Sequence, residues 1–382
     1  MKSYFEAAQL ITPRGVVEHA RVVIEDGRFA QVGTRADLEF PAAAQVNDLG
    51  ESILAPGFID IHIHGSGGHD VMEATPQGLL TVERALARHG VTSYLATTVT
   101  APIAQTLEAV EKLGRWVEAD QDPAGRAVAL GLHLEGPFIS HAKRGVHPPA
   151  HLQAPSIELF DRMQQAASGR VRLMTVAPEG EGAGAMIAHA VGKGVRVSVG
   201  HSDATFRQTR DAIAAGASHA THTFNAMRGL DHREPGILGA VLADEGLSAE
   251  IIADGVHVHP EMVKMFVRLK GAERAILVTD AISATGMGDG TFQLGGFQVE
   301  VRGDRCEFEG RLAGSVLTLD RAVRNTMKFA SVALSSAVRM VSFNPAQLLG
   351  IEDRGVIQAG AIADLNVLRP DGEIVRTLHA GR

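Results

Sequence analysis

Eight short runs of apolar or β-branched residues recur through the middle of the chain, at 58–64, 91–99, 127–134, 171–177, 195–200, 219–223, 249–252 and 275–279. Their starts lie 24 to 44 residues apart. The stretches between them carry helical spacing, as in 79–89, with apolar residues at Leu79, Leu80, Val82 and Leu86, and in 103–116. Each separation exceeds the dozen or so residues that a parallel crossover requires. Near-continuous apolar strands suit a sheet buried on both faces. Eight such units favour a (β/α)8 TIM-like barrel of the α/β class over an open, doubly wound sheet.

The two ends read differently. Residues 16–24 are strand-like, Asp26-Gly27 is a hairpin-type turn and 29–32 follow as a second strand. The tail repeats the theme at 355–357 and 363–368, and again at 373–378 after Asp371-Gly372. The expectation is a small flanking β-sandwich domain built from both termini, residues 1–55 and 348–382, beside a barrel over 56–347. Inside the barrel, 284–315 is Gly-rich and alternates polar with apolar residues. It reads as an inserted loop with a β-hairpin near the barrel mouth.

Composition narrows the chemistry. The 382 residues include 17 histidines, as many as Phe, Tyr and Trp together (14, 2 and 1). Such a chain is poor in stacking platforms and rich in nitrogen ligands. The single cysteine, Cys306, can form neither an internal disulfide nor a thiolate metal site. A formal charge of −8 disfavours a general nucleic-acid surface. No apolar run approaches the ~20 residues of a membrane helix. The opening MKSYFEAAQL lacks the basic-then-apolar pattern of a secretory signal. The expected compartment is therefore the cytoplasm, with no membrane partner.

The strong polar signals sit at strand ends. The first run closes on Asp60-Ile61-His62-Ile63-His64, the third on His133-Leu134-Glu135, the fifth on Gly200-His201-Ser202-Asp203. The sixth runs from His219 through His222 to Asn225, and the eighth closes on Thr279-Asp280. Alternate residues of a strand share a face, so His62 and His64 point the same way, roughly 6–7 Å apart. Three histidine-bearing and two carboxylate-bearing strand ends then ring one barrel mouth. Imidazoles and carboxylates without thiolate suit Zn first, with Mn, Fe, Co and Ni as alternatives. A bound divalent ion lowers the pKa of a ligated water to around 7 and polarises a carbonyl, which is hydrolytic chemistry. Asp280, on the last strand, is placed to act as general base and then general acid.

Pro56-Gly57-Phe58-Ile59-Asp60 followed by His62-Ile63-His64-Gly65 resembles the opening signature of the amidohydrolase superfamily. Five further segments resemble, in order, the N-acetylglucosamine-6-phosphate deacetylase family. They are His133-Leu134-Glu135-Gly136-Pro137-Phe138; Gly200-His201-Ser202-Asp203-Ala204; and Thr221-His222-Thr223-Phe224-Asn225-Ala226-Met227, continuing to His232-Arg233-Glu234-Pro235-Gly236. Asp254-Gly255-Val256-His257 and Thr279-Asp280-Ala281, leading to Leu312-Ala313-Gly314-Ser315, complete the set. The resemblance implies that Glu135, His201 and His222 hold the main divalent metal and that Asp280 is the proton shuttle. It also implies a second metal position at His62 and His64, bridged by Glu135 and touched by Asp280, so one or two ions per chain. His257, and His147 in Gly145-Val146-His147, would contact the sugar and the scissile acetamide, with Val146 beside them. Asn225 and Ala226 would reach the phosphate, and Arg233 would pair with it from the neighbouring subunit of a homodimer. Leu312, Ala313 and Gly314 match a loop that closes over the substrate.

The implied reaction removes the acetyl group of N-acetylglucosamine 6-phosphate, giving glucosamine 6-phosphate and acetate, in amino-sugar catabolism or cell-wall recycling. The residues themselves argue less strongly for a phosphate than for a metal. Arg233 and Lys143-Arg144 are the only basic residues flanking the predicted site loops, and Arg can bind two phosphate oxygens at once. Gly286-Met287-Gly288-Asp289-Gly290 lacks the spacing and context of a nucleotide-binding loop. Two rivals stand beside this reading: another amidohydrolase, acting on a cyclic amide or an N-acyl amino acid, and a non-catalytic barrel kept as an interaction module. The second predicts missing ligands, and all of them are present.

Overall fold

A computed structural model describes residues 2–119 and 122–382. The chain opens with β1 (Lys2–Thr12), β2 (Gly15–Glu25), β3 (Arg28–Thr34), β4 (Val46–Asp48) and β5 (Ile53–Pro56). The β2–β3 turn places Asp26 at φ 49° and Gly27 at φ 78°. Positive φ at both turn residues matches the right-handed twist of the flanking strands. At the other end, β18 (Leu365–Leu368) pairs antiparallel with both β5 and β19 (Ile374–Leu378). One seven-stranded sheet in the order β19-β18-β5-β1-β2-β3, with β4 beside β1, thus joins both termini. Its own core of Phe5, Leu10, Val22, Ile24, Phe29, Leu54, Leu365, Val367 and Leu378 is buried. Residues 355–357, expected as a strand, form bends instead. Gly355 and Gly360 turn the chain there at φ 71° and 88°, and the chain rejoins the sheet just beyond, where Phe29 N–H donates to the Ala361 carbonyl at 2.9 Å and Arg28 bridges Ile362.

Chain and sheet part company at Gly57, where a Cβ would lie 2.2 Å from Thr92 Oγ1. The next residue starts β6 (Phe58–Ile63), the first of eight parallel strands. β7 (Val91–Thr98), β8 (Val128–Glu135), β9 (Val171–Val176) and β10 (Arg196–Val199) follow, then β11 (His219–Ala220), β12 (Ser248–Ile251) and β13 (Ala275–Leu277). They pair in sequence order. Every residue of β6 and β7 is buried, as expected when helices cover one face and the barrel interior fills the other. The ring closes between first and last strands through a bridge from Ile63 to Ala281 and the bond from Asp280 N–H to the His62 carbonyl at 2.9 Å. Asp60 reinforces it by accepting from Thr279 Oγ1 at 2.6 Å.

The last strands are shorter than the apolar runs suggest. β11 ends at Ala220 and β13 at Leu277, because the residues beyond them leave extended geometry to build loops at the rim. The inserted segment is also richer than a hairpin. β14 (Gly290–Leu294), β15 (Phe297–Arg302), β16 (Arg305–Phe308) and β17 (Arg311–Leu312) form a four-stranded antiparallel meander. Leu294, Val299, Val301 and Cys306 bury against Ile282 and Ala284 as its separate small core.

Candidate active site at the barrel rim

Side chains from six barrel strands or the loops just after them converge at the C-terminal rim, where barrel enzymes place their chemistry. At the centre is Glu135, the last residue of β8. Five imidazole Nε2 atoms surround its carboxylate: His222 at 2.9 Å, His201 at 3.1 Å, His64 at 3.2 Å, His62 at 3.4 Å and His147 at 3.6 Å. Asp280 Oδ1 lies 3.2 Å from His64 Nε2 and 3.6 Å from His62 Nε2. All of these residues are buried. His201, His222 and Asp280 sit at φ 46°, 24° and 51°. That is backbone non-glycine residues adopt rarely, and mostly where surrounding structure forces it.

The partners of the other ring nitrogens decide what each imidazole can do. His64 Nδ1 donates to the Thr97 carbonyl at 3.1 Å and His201 Nδ1 to the Lys143 carbonyl at 2.9 Å. A carbonyl only accepts, so Nδ1 carries a proton and Nε2 is the nitrogen left to face Glu135. His147 is wired the opposite way. Its Nδ1 meets Thr100 Oγ1 at 2.8 Å and accepts from the Thr100 backbone N–H at 3.3 Å; an N–H only donates, which leaves the proton on Nε2, directed into the site. Burial pushes this ring down to about 4, with the neighbouring His201 acting in the same direction, so His147 is a neutral donor at pH 7. His257 is fixed by Asp254, whose Oδ2 accepts from Nδ1 at 2.7 Å and whose Oδ1 takes the His257 backbone N–H at 2.8 Å.

Burial would raise Glu135, but the His62 ring and the inward Nε2–H of His147 hold it well below the usual carboxylate range. Asp280 is likewise lowered, against its burial, by His62 and His64. Two ionised carboxylates therefore share a buried site with a ring of imidazole nitrogens. Two of these nitrogens crowd one another: His201 Nε2 and His222 Nε2 are 3.0 Å apart. His62 Nε2 is buried without a hydrogen-bond partner. A cation resolves both features, since tetrahedral ligands with Zn–N bonds of ~2.0–2.1 Å sit roughly 3.3 Å apart. Among the described residues two groups are compact enough to hold an ion, His62-His64-Asp280 and Glu135-His147-His201. In the second, the tautomer makes His222 a better ligand than His147.

A cavity of about 230 Å³ opens on this cluster. Its wall takes in Val146, His147, Asn225, Ala226, His257, Leu312 and Gly314 beside Glu135, His64, His201, His222 and Asp280. His62 lies just beneath it. Two expected residues are placed elsewhere. Ala313 turns its methyl into the core of the inserted meander, because its backbone N–H is committed to the Cys306 carbonyl at 3.0 Å. Arg233 is exposed and does not line the cavity of its own chain; the loop carrying it is turned outward and capped by Asp231, which accepts the Arg233 backbone N–H at 2.8 Å. Sequence reasoning missed Val99 and Leu294, which line the cavity, and Glu250, a fully buried carboxylate beneath the histidines. A charged residue inside the short strand Ser-Ala-Glu-Ile was the available signal for the last.

The model of the amidohydrolase family matches residues 53–382. The chain belongs to the amidohydrolase family. Membership implies a divalent metal, and the inward-facing donor set fits one. Several relatives are similar over nearly their whole length. The N-acetylglucosamine-6-phosphate deacetylase of Bacillus subtilis (strain 168) is 37% identical over 374 residues, covering 97% of this chain and 94% of the relative. The N-acetylgalactosamine-6-phosphate deacetylase of Escherichia coli O157:H7 is also 37% identical, over 92% of this chain and 91% of the relative. Among solved structures, the N-acetyl-D-glucosamine-6-phosphate deacetylase of Mycobacterium smegmatis, a variant in complex with N-acetyl-D-glucosamine-6-phosphate, superposes with a TM-score of 0.93 at 37% identity. It covers 100% of this chain and 98% of that one. The superposition thus takes in both the barrel and the terminal sheet of this amidohydrolase. None of its described helices is long and apolar enough to cross a membrane.

Proposed function

We propose that this amidohydrolase removes the acetyl group of N-acetylglucosamine 6-phosphate, releasing acetate and glucosamine 6-phosphate for amino-sugar catabolism or cell-wall recycling. One observation carries the reading: a single ionised carboxylate, Glu135, central to five imidazole nitrogens and next to Asp280, at the floor of a cavity whose wall is otherwise mostly neutral. Relatives similar over 92% or more of this chain are deacetylases of N-acetylated amino-sugar phosphates, which leaves cyclic amides and N-acyl amino acids unfavoured.

Glu135, His201 and His222 would hold the main metal, and His62 and His64 with Asp280 a second. Zn is the first choice for such donors. When bound, a divalent cation polarises the scissile carbonyl and acidifies water. The chain's own groups do the rest. Asp280 takes a proton from the attacking water and delivers it to the departing amine, base and acid in turn. His147 Nε2–H, neutral and fixed by Thr100, donates to the acetamide oxygen as charge builds there. His257 and Asn225 orient the sugar and phosphate, Val146 and the Ala226 backbone complete their wall, and Leu312 and Gly314 cover the site. We further propose a cytoplasmic homodimer in which the exposed Arg233 completes the partner subunit's phosphate site.

The test is acetate release from N-acetylglucosamine 6-phosphate, its 4-epimer and the unphosphorylated sugar. The epimer is included because the E. coli relative matches at the same identity. Turnover of the glucosamine compound, with KM rising at least tenfold when the phosphate is removed, is expected. Equal turnover with and without phosphate would overturn the assignment.

A further inference from the structure

We infer that Glu250 is a positioning residue that fixes the tautomer and aim of His62, and so makes the His62-His64-Asp280 position able to hold an ion. The inference rests on the reading of His62 as a metal ligand. Glu250 lies on β12, a strand that contributes no proposed ligand. Its side chain is fully buried. Its Oε2 accepts from His62 Nδ1 at 2.9 Å and from the His222 backbone N–H at 3.1 Å, and its Oε1 accepts from His219 Nε2 at 3.0 Å. One carboxylate therefore grips a residue from each of the two ligand sets.

An ionised carboxylate can only accept, so the His62 proton must sit on Nδ1. That leaves the His62 Nε2 lone pair toward Glu135 and Asp280, where it has no hydrogen-bond partner. His64 and His201 obtain the same orientation from backbone carbonyls. His62 has no carbonyl at Nδ1. It depends on a side chain, which makes this ligand the one a substitution can disorient. Partners of this kind typically change metal affinity 10- to 100-fold when removed.

His219 shows why Glu250→Gln should be tolerated. Its Nδ1 meets Ser248 Oγ at 2.8 Å, a group that can either donate or accept. A glutamine could keep its oxygen on His62 and His222 and turn its NH2 toward His219, whose proton would then move to Nδ1.

The experiment is ¹⁵N NMR of the histidine rings in the metal-loaded, full-length protein, together with chelator competition for each ion. The unsubstituted protein should show His62 protonated at Nδ1 and ligated through Nε2. Glu250→Ala should weaken the ion at His62 by 10- to 100-fold, with the Glu135-His201-His222 ion changed less, and Glu250→Gln should restore it. A packing role alone would lower Tm without moving tautomer or affinity. His62 protonated at Nε2 in the unsubstituted protein overturns the inference even if Glu250→Ala does not fold, as does unchanged affinity in a folded Glu250→Ala. If His62 were not ligated at all, the metal assignment itself would fail, a distinct outcome.

Discussion

The rim of the barrel and the sheet made by the two termini solve opposite problems with the same backbone. In the terminal sheet, buried positions are almost wholly apolar, and the β2–β3 turn puts Asp26 and Gly27, residues suited to it, at positive φ. At the rim, buried positions are histidines and carboxylates, and positive φ falls on His201, His222 and Asp280. Burying polar groups costs free energy unless each finds a partner. The rim meets that demand by wiring almost every ring nitrogen to a defined acceptor, donor or ligand position. One region is built to be stable, the other to be specific, and substitutions in the two should separate cleanly.

The largest separation is expected at Asp280. Asp280→Asn keeps size and shape but cannot take up a proton, so kcat should fall by roughly 10²- to 10⁴-fold, the usual contribution of a general acid–base. The ion at Glu135, His201 and His222 should stay close to full occupancy, the His62-His64 position, which loses one carboxylate oxygen, should bind more weakly, and Tm should move little. Near-normal turnover in a metal-loaded Asp280→Asn protein would remove the proton shuttle from the mechanism.

Leu10→Ala tests the other pole. Leu10 is fully buried in the terminal sheet, and truncating such a side chain typically costs about 2–5 kcal/mol. Urea unfolding should report that loss, while kcat and KM of the folded fraction stay within about twofold. A large change in kcat at unchanged stability would mean that the two regions are coupled rather than separable.

How far each region can be read from sequence follows the same division. The barrel was legible because parallel strands buried on both faces leave long apolar runs, and the turn at Asp26-Gly27 because few residue pairs fit it. The strand over Lys2–Thr12 was not read, since its mixture of buried and half-buried positions gives no clean alternation. At the rim, residue types and strand-end placement pointed to Glu135, His201, His222, His62, His64 and Asp280. What sequence could not supply was direction. Nothing in Gly145-Val146-His147 says that Thr100 reverses the His147 tautomer, and nothing in the Leu312-Ala313-Gly314 run says that the middle residue faces away. Glu250 was hidden because its three partners lie 28 to 188 residues away.

The smallest expected effect lies where the terminal sheet itself departs from its apolar habit. His379, just after β19, is buried, and its Nδ1 has no partner. Burial, helped by the nearby Arg354 guanidinium, pushes its ring down to about 4. Arg354 is in turn paired with Asp364, whose Oδ1 accepts from Ala380 N–H beside His379. In the unfolded chain the same imidazole titrates near 6.5. As pH falls from about 6.5 to about 4, the unfolded state therefore takes up a proton that the folded state refuses. The contribution of His379 is fully present above 6.5, declines through that window and levels off below it. At about 1.4 kcal/mol per pKa unit the decline is on the order of 1 to 3 kcal/mol. The checking measurement is the difference between the stability–pH profiles of His379→Gln and the unsubstituted protein, in which every other titrating group cancels. His379→Gln should lose less stability between pH 6.5 and 4, whatever its offset at pH 8. Parallel profiles would mean that the His379 ring is solvated in solution, and the contrast between an apolar sheet and a polar rim would then lose one of its exceptions.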